Sequence, residues 1–312
     1  MKTLALKELD GVLAEWPFYM ERAIELAASV FNATPNPRVG CVIVKEGAVI
    51  GEGWHSAAGE KHAEIVALEN AGSLVKNSTA FVSLEPCAHQ GRTPPCTEAL
   101  IAAGVDRVVI ASVDPDERVS GRGIKALEDA NIEVFQLLDF DQKARAINPG
   151  FFKRQELGMP FVRLKLAMSI DGRTALSNGK SKWITSAEAR KDVQKLRAQS
   201  CAIASGIGTI LLDDPSLTVR TSELGLDEEQ LKYNEASLSK SPTRLVLGDY
   251  KKIPATAKVI QNKGMVKIFT SDRVIDEVNY PENVEIVVVS SNQGRVDLVS
   301  FLKYLASELK CN

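Results

Sequence analysis

Apolar and polar positions along this chain switch repeatedly between a helical and a strand period, and the switching predicts the architecture. Residues 18–31, FYMERAIELAASVF, bring Ile24, Ala27, Ala28 and Phe31 onto one helical stripe. The run from Asn32 to Pro37 ends that helix, because Pro35 and Pro37 cannot continue it. Residues 40–50, GCVIVKEGAVI, read as a strand, a Lys-Glu-Gly turn and a second strand. A helix is predicted over 62–71, a strand over 79–84, a helix over 97–103, a strand over 107–113, a helix over 123–130 and a strand over 132–137. Strands that take turns with helices predict an α/β sheet covered on both faces. Residues 1–16 read as an amphipathic extension.

Residues 139–158 form a charged, helix-like connector ending at Gly158-Met159-Pro160, which places a domain boundary there. The expected domains are 1–150 and 159–312. In the second, FVRLKLAM (161–168) alternates as a strand and runs into a turn at Ser169-Ile170-Asp171-Gly172. Residues 186–199 predict a helix with Ser186 as N-cap and Glu188 in its first turn. Ala202 to Ala204 begin a short strand that meets Ser205-Gly206-Ile207-Gly208-Thr209. A glycine-rich turn before a helix can cradle a phosphate on backbone N–H groups, or be an ordinary tight turn. Residues 221–242 are polar and acidic with no apolar stripe, and read as a surface insertion.

The length, 312 residues, allows a core in each of two domains. A hydrophobic content of 45% with 25% charged residues is that of an ordinary globular protein. The net charge of −2 argues against a broad nucleic-acid or membrane surface, while leaving room for a small basic pocket. No apolar run approaches the ~20 residues of a membrane span, and the first residues lack the apolar length of a signal peptide. A cytoplasmic location is the expectation. Five cysteines, an odd number, suit a reducing compartment in which thiols serve a metal.

The chemistry concentrates in two stretches, His62-Ala63-Glu64 and Pro86-Cys87…Cys96. One histidine and two cysteines hold a tetrahedral zinc ion and leave its fourth position open to water. The metal makes that water acidic near neutral pH. Glu64, not itself needed as a ligand, is placed to shuttle the water proton to a leaving amine. A His-x-Glu followed by Pro-Cys and a second cysteine is the pattern of the zinc deaminases, although eight residues here separate cysteines that are usually two apart. The metal ligands are therefore His62, Cys87 and Cys96, with one zinc per chain, and Glu64 is the catalytic residue. Cys41, Cys201 and Cys311 read as thiols without a role.

At these residues the chain resembles a known family, the bifunctional riboflavin-biosynthesis deaminase/reductase. The matching segments are TPNPRVGCVIVK (34–45), GEKHAE (59–64), LEPCAHQGRTPPC (84–96) and GRGI (121–124) in the first half. In the second half they are LKLAMSIDGRT (164–174), SKWIT (181–185), GIGT (206–209) and DDPSLTVR (213–220). The long interval between the cysteines is that family's own. The resemblance implies a cytidine-deaminase-like α/β/α sandwich followed by a dihydrofolate-reductase-like α/β domain. It implies hydrolytic deamination of a pyrimidine bearing a ribose phosphate, then reduction of the ribosyl chain by NADPH. Asn36 then contacts the substrate, or is simply a turn residue before Pro37. His55, His89 and Arg92 reach the base or the phosphate, or lie on the surface. Carried over by position, Ala167, Trp183, Thr209 and Asp213 line the NADPH site. Ser181, Arg197, Leu217, Arg220 and Lys165 line the substrate site, with Thr185 pointing the same way. Read alone, Trp183 is a core aromatic, Arg197 an exposed helix charge, and Asp213 with Arg220 a surface pair. Full-length members of the family are expected to be homo-oligomers.

Two departures bear on the second activity. Gly248-Asp249 stands where the family has an Asp-Ser pair, which puts a carboxylate near the expected cofactor phosphate. The chain also stops where the family continues into a strand, a glutamate with a glycine-rich turn, and further strands. The expectation is a complete deaminase domain and a C-terminally incomplete reductase domain lacking its last strands, in which reduction is in doubt. A rival reading is a zinc deaminase acting on nucleotides or nucleic acid. The near-neutral charge and an aromatic content of 6% count against the basic, stacking surface that nucleic acid needs. A purely structural zinc protein would have no use for Glu64.

Overall fold

The computed structural model describes residues 1–90, 94–273 and 279–312. They form two compact units. The first is Met1–Gly158 with Gln230–Ser237 and Asn312; the second is Met159–Glu229 with Leu238–Cys311.

The first unit is built on a mixed sheet of β1 (Lys2–Leu4), β2 (Gly40–Lys45), β3 (Ala48–Trp54), β4 (Thr79–Val82), β5 (Arg107–Ile110) and β6 (Glu133–Leu137). Their spatial order is β1-β6-β5-β4-β2-β3. The β2 strand runs antiparallel to both β3 and β4, and the other neighbours are parallel. Helices cover both faces. The α1 helix (Trp16–Ser29) and α5 (Asp141–Ile147) pack on one; α2 (Ala63–Ala71), α3 (Cys96–Ala103) and α4 (Arg122–Asp129) pack on the other. The α6 helix (Pro149–Leu157) follows, with Phe151 and Phe152 buried against Leu84.

Alternation along each strand decides which core a side chain joins. In β2, Cys41 and Ile43 face α2, whereas Val42 and Val44 face α1. Two glycines of β3 let α2 come close. A Cβ on Gly51 would meet the Ala67 carbonyl at 2.3 Å, and one on Gly53 would meet that of Ala63 at 2.3 Å. The start of α2, which carries Glu64, is thereby held directly on β3.

The sequence expectations fail at the first unit's edges. Residues 1–16 are not merely an extension, because Lys2–Leu4 adds a parallel edge strand to β6. Three residues are too few for a period to show. On α1 the buried positions are Trp16, Tyr19, Met20, Ala23, Ile24, Leu26 and Ala27. Ala28 is exposed, and Phe31 lies beyond the helix end.

The second unit has a four-stranded parallel sheet of β7 (Ala202–Gly206), β8 (Thr243–Leu247), β9 (Val266–Thr270) and β10 (Val284–Val288), ordered β10-β9-β8-β7. Its helices are α7 (Ala187–Ala198), α8 (Ile207–Asp213), α10 (Lys258–Gln261) and α11 (Leu298–Ser307), whereas Gln230–Ser237 of α9 (Glu228–Leu238) belong to the first unit. Ser186 caps α7, accepting the Ala189 N–H at 3.2 Å. Val246, Val266 and Ile268 point to one core with Ile210 and Tyr250, while Leu245 and Phe269 point to another with Phe301 and Leu305.

Two expectations fail in the second half. Residues 161–168 alternate as a strand should, yet no ladder among the described residues includes them and most are exposed. A strand needs a neighbour for its N–H and C=O groups, and alternation cannot supply one. Residues 221–242 are not merely a surface insertion. They contain α9, whose Asn234 and Ser237 are buried. Its contacts are hydrogen bonds and a single ring contact, so no apolar stripe marks it.

Candidate active site

His62 is the N-cap of α2, and Glu64 lies in its first turn. Cys87 follows the loop after β4, and Cys96 opens α3. These elements converge, so that the donor atoms of His62, Cys87 and Cys96 lie within 4.8 Å of one another. His62 Nδ1 is 3.2 Å from Cys96 Sγ and 3.6 Å from Cys87 Sγ. The Cys96 backbone N–H donates to Cys87 Sγ at 3.4 Å, and Thr97 donates N–H and hydroxyl to the Cys87 carbonyl at 3.2 and 3.3 Å. The hydrogen bond with the Cys96 thiol drives the Cys87 thiol down to about 4, and His62 helps. The Cys96 thiol is pushed up by that same bond and by burial. One imidazole and a thiol pair already inclined to lose a proton are the donor set of a zinc site with one position left open. The residues present fit that metal.

Glu64 is 3% exposed, and burial pushes its carboxyl up to about 7, with the charge on Cys87 adding to the effect. It shares a hydrogen bond with Cys96. A buried carboxyl poised near neutrality beside an open metal position is suited to moving protons.

Asn36 and His55 are brought together at 3.0 Å, Nδ2 to Nε2. The other ring nitrogen of His55 lies 3.0 Å from the Lys61 carbonyl. A carbonyl only accepts, so His55 Nδ1 carries the proton and Nε2 accepts from the Asn36 amide. That leaves Asn36 with its Oδ1 for another partner. His55 is 2% exposed and meets His62 edge-to-face, ring centroids 5.1 Å apart. Two residues after Cys87, His89 Nδ1 is buried without a partner among the described residues. Arg92 lies outside the described residues.

Sequence reasoning passed over Glu85, which is 3% exposed. Its Oε2 accepts N–H bonds from Asp114 (3.3 Å) and Gly121 (3.0 Å), and its Oε1 from Gly123 (2.9 Å) and Ile124 (3.2 Å). Burial raises its pKa while these four donors work against the rise. A Cβ on Gly123 would meet the Pro86 carbonyl at 2.0 Å, so the start of α4 sits directly on the Cys87 loop. The signal was available: a carboxylate directly after an apolar strand needs donors, and glycines at 121 and 123 leave backbone N–H groups bare.

Among the second-unit candidates, Arg197 and Arg220 are brought together. Arg197 Nη1 donates to the Thr218 carbonyl at 2.9 Å, and the Arg220 N–H donates to Gln194 Oε1 at 3.0 Å, both partners lying on or against α7. Burial lowers the Arg197 pKa, and the charge of Arg220 lowers it further. Arg220 also pairs with Glu223 at 3.1 Å. Leu217 is buried. Thr209 and Asp213 are exposed, one turn apart on α8. Trp183 is not a core aromatic; it is 68% exposed under the Arg190 guanidinium, 4.5 Å from its ring centre. Ser181 is half-buried in a loop, while Ala167 and Lys165 belong to the unpaired extended run. Asp249 accepts the Lys251 N–H at 3.0 Å as a helix cap. The carboxyl ends of β7 and β8, at Gly206 and Leu247, open on an apolar cavity of about 290 Å³ that Val162 and Phe301 also line. Open parallel sheets bind their cofactors beyond such strand ends.

The three-layer first unit and its His–Cys–Cys–Glu site define a zinc-dependent deaminase. Residues 15–112 match the cytidine and deoxycytidylate deaminase zinc-binding region, and residues 160–312 match the RibD C-terminal domain. The riboflavin biosynthesis protein RibD of Escherichia coli is 45% identical over 292 residues, which cover 93% of this chain and 78% of that one. RibD of Haemophilus influenzae is 49% identical over 273 residues, 86% of this chain and 72% of the relative. The structure of Acinetobacter baumannii RibD, form 2, superposes with a TM-score of 0.81 at 38% identity, covering 96% of this chain and 79% of that one. A deaminase/reductase structure from Thermotoga maritima gives 0.78 at 33% identity, with 95% and 78% covered. The chain belongs to the RibD family of riboflavin biosynthesis proteins.

Proposed function

We propose that the chain carries out two successive steps of riboflavin biosynthesis. The first is hydrolytic deamination of 2,5-diamino-6-ribosylamino-4(3H)-pyrimidinone 5′-phosphate, and the second is NADPH-dependent reduction of the ribosyl chain to ribityl. The Thermotoga relative bears the corresponding pair of names, a diaminohydroxyphosphoribosylaminopyrimidine deaminase and a 5-amino-6-(5-phosphoribosylamino)uracil reductase. The observation that carries the first step is Glu64, buried beside three converging zinc donors.

His62, Cys87 and Cys96 would hold the zinc ion. When bound, the metal supplies a water acidic enough to lose its proton near neutral pH. Glu64 accepts a proton from the attacking water and returns it to the substrate: the water oxygen bonds the ring carbon that bears the amine, the C–N bond breaks, and ammonia leaves as the ring carbonyl forms. Asn36 holds the pyrimidine through Oδ1, the end of its amide that His55 leaves unused. In the second unit, Ala167, Trp183, Thr209 and Asp213 are proposed to line the NADPH site. Ser181, Arg197, Leu217, Arg220 and Lys165 are proposed to take the substrate, the two arginines its phosphate. Residues 1–150 form the deaminase domain and 159–312 the reductase domain in this reading. The partners are small molecules; no helix among the described residues is long and apolar enough to cross a membrane. A homo-oligomer in the cytoplasm completes the proposal.

The test is ammonia release from the phosphoribosylaminopyrimidine, with zinc measured on the same sample. Glu64→Gln is expected to keep its zinc and lose about 10²–10⁴-fold in rate. Full activity in that variant would remove Glu64 from the mechanism.

A further inference from the structure

Within the first unit, two consecutive residues of the polar helix α9 reach the segments that carry the pyrimidine-binding side chains. Asn234 is 1% exposed. Its Oδ1 accepts the Phe31 N–H at 2.7 Å, and its Nδ2 donates to the Ser29 carbonyl at 2.9 Å. Nδ2 also donates to the Gln230 carbonyl at 2.9 Å, and the buried Ser237 hydroxyl donates to Oδ1 at 3.2 Å, so the amide has one orientation. It holds the end of α1 at the point where the chain turns toward Asn36. Tyr233, the preceding residue, sets its ring edge-on against Trp54 with centroids 4.4 Å apart. Its hydroxyl bonds Arg22, whose guanidinium is forked onto Glu52 at 2.7 and 2.9 Å. Trp54 directly precedes His55.

These contacts converge on one distance. The turn after Phe31 carries Asn36, the strand through Trp54 ends at His55, and the two side chains meet at 3.0 Å. The far side of the turn is already anchored. Asn148 donates to the Arg38 carbonyl and accepts the Arg38 N–H, both at 2.8 Å, and Arg154 donates to the Pro35 carbonyl at 2.9 Å. The near side, at Ser29 and Phe31, is held by Asn234.

We propose that Tyr233 and Asn234 are positioning residues of the deaminase site. They set the spacing between the Asn36 turn and His55, and so the direction in which Asn36 presents its Oδ1 to the pyrimidine ring. This rests on the reading of the first unit as a pyrimidine deaminase with Asn36 as a substrate contact. None of the three zinc donors is among the α9 contacts above, so variants of these two residues are expected to retain zinc.

The experiment uses the full chain and ammonia release from the phosphoribosylaminopyrimidine, with zinc content and thermal midpoint on each variant. Asn234→Ala and Tyr233→Ala are expected to raise KM about tenfold with zinc retained and kcat changed less, since a small misplacement of a binding group weakens the productive complex. Tyr233→Phe keeps the ring on Trp54 but loses the hydroxyl bond to Arg22, so its KM is expected to lie between those of the parent and Tyr233→Ala. In an Asn36→Ala background, Asn234→Ala adds less than about twofold, because residues acting through one contact are not additive. Should Asn234→Ala fail to fold, Asn234→Asp carries the same test, keeping the acceptor for Phe31 and losing the donor to Ser29. An unchanged KM with a lowered thermal midpoint would overturn the proposal and leave α9 a stabilising helix. So would full multiplicativity with Asn36→Ala. A parent chain that binds zinc yet releases no ammonia would strike the deaminase reading instead.

Discussion

Burial does different work on the carboxyl groups around this site. Glu64 is kept close to neutrality, where a proton can be gained and given up. Glu85 is surrounded by backbone N–H donors and acts as a fixed strut. Asp114 has fewer donors. Burial pushes it from its ordinary 3.8 up to about 7, and the negative charges of Asp116 and Glu85 add to the rise. A carboxyl whose folded pKa is raised keeps its proton longer in the folded than in the unfolded chain, so stability falls as pH climbs from about 4 through about 7. Asp114 Oδ1 accepts the Asp116 N–H at 2.8 Å, a bond that an asparagine retains. Asp114→Asn is therefore expected to lose less of its thermal midpoint between pH 5.5 and pH 8 than the parent. Parallel pH curves for the two proteins would show that Asp114 ionises normally.

At the scale of elements, the zinc ligands come from the start of α2, the loop after β4 and the start of α3, and the loop that bears Cys87 is fastened through backbone recognition by Glu85. Four N–H groups between Asp114 and Ile124 fasten the start of α4 to the residue two before Cys87. In Glu85→Gln, one oxygen becomes an amide nitrogen that confronts N–H donors, so that half of the fastening turns repulsive. Zinc affinity is expected to fall about 10–100-fold, the range for residues that support metal ligands, with kcat recovering in excess zinc. A variant with normal zinc affinity and a low kcat would mean instead that the loop serves the substrate. Such a strut is hard to read in a sequence because its partners are main-chain atoms 29 to 39 positions away that no side-chain pattern marks. The α9 helix escaped notice for a related reason: Asn234 and Tyr233 hold the fold through polar and ring contacts, which leave no apolar stripe. Residues 161–168 mislead in the opposite direction, since a strand pattern is present without a strand partner.

At the scale of the molecule, the first unit's layers and its metal site were legible because each rests on local signals. Alternating periods mark the strands and helices, and His62, Glu64, Cys87 and Cys96 are residue types with few other uses together. The second unit's residues were legible only by resemblance. Arg197 and Arg220 become neighbours through bonds to the Thr218 carbonyl and the Gln194 side chain, which neither residue announces by itself. This division also separates the two chemistries. All three zinc donors and Glu64 lie within Met1–Gly158, while the NADPH candidates Ala167, Trp183, Thr209 and Asp213 lie within Met159–Glu229. Metal binding is folding free energy for the unit that owns the ligands, because a site of this kind does not pre-exist in the unfolded chain. Removing zinc with a chelator is thus expected to abolish ammonia release and lower a thermal midpoint, both restored by adding zinc back. NADPH oxidation with the already deaminated substrate is expected to survive the treatment. Loss of both activities together would show that the second unit depends on the metal held by the first.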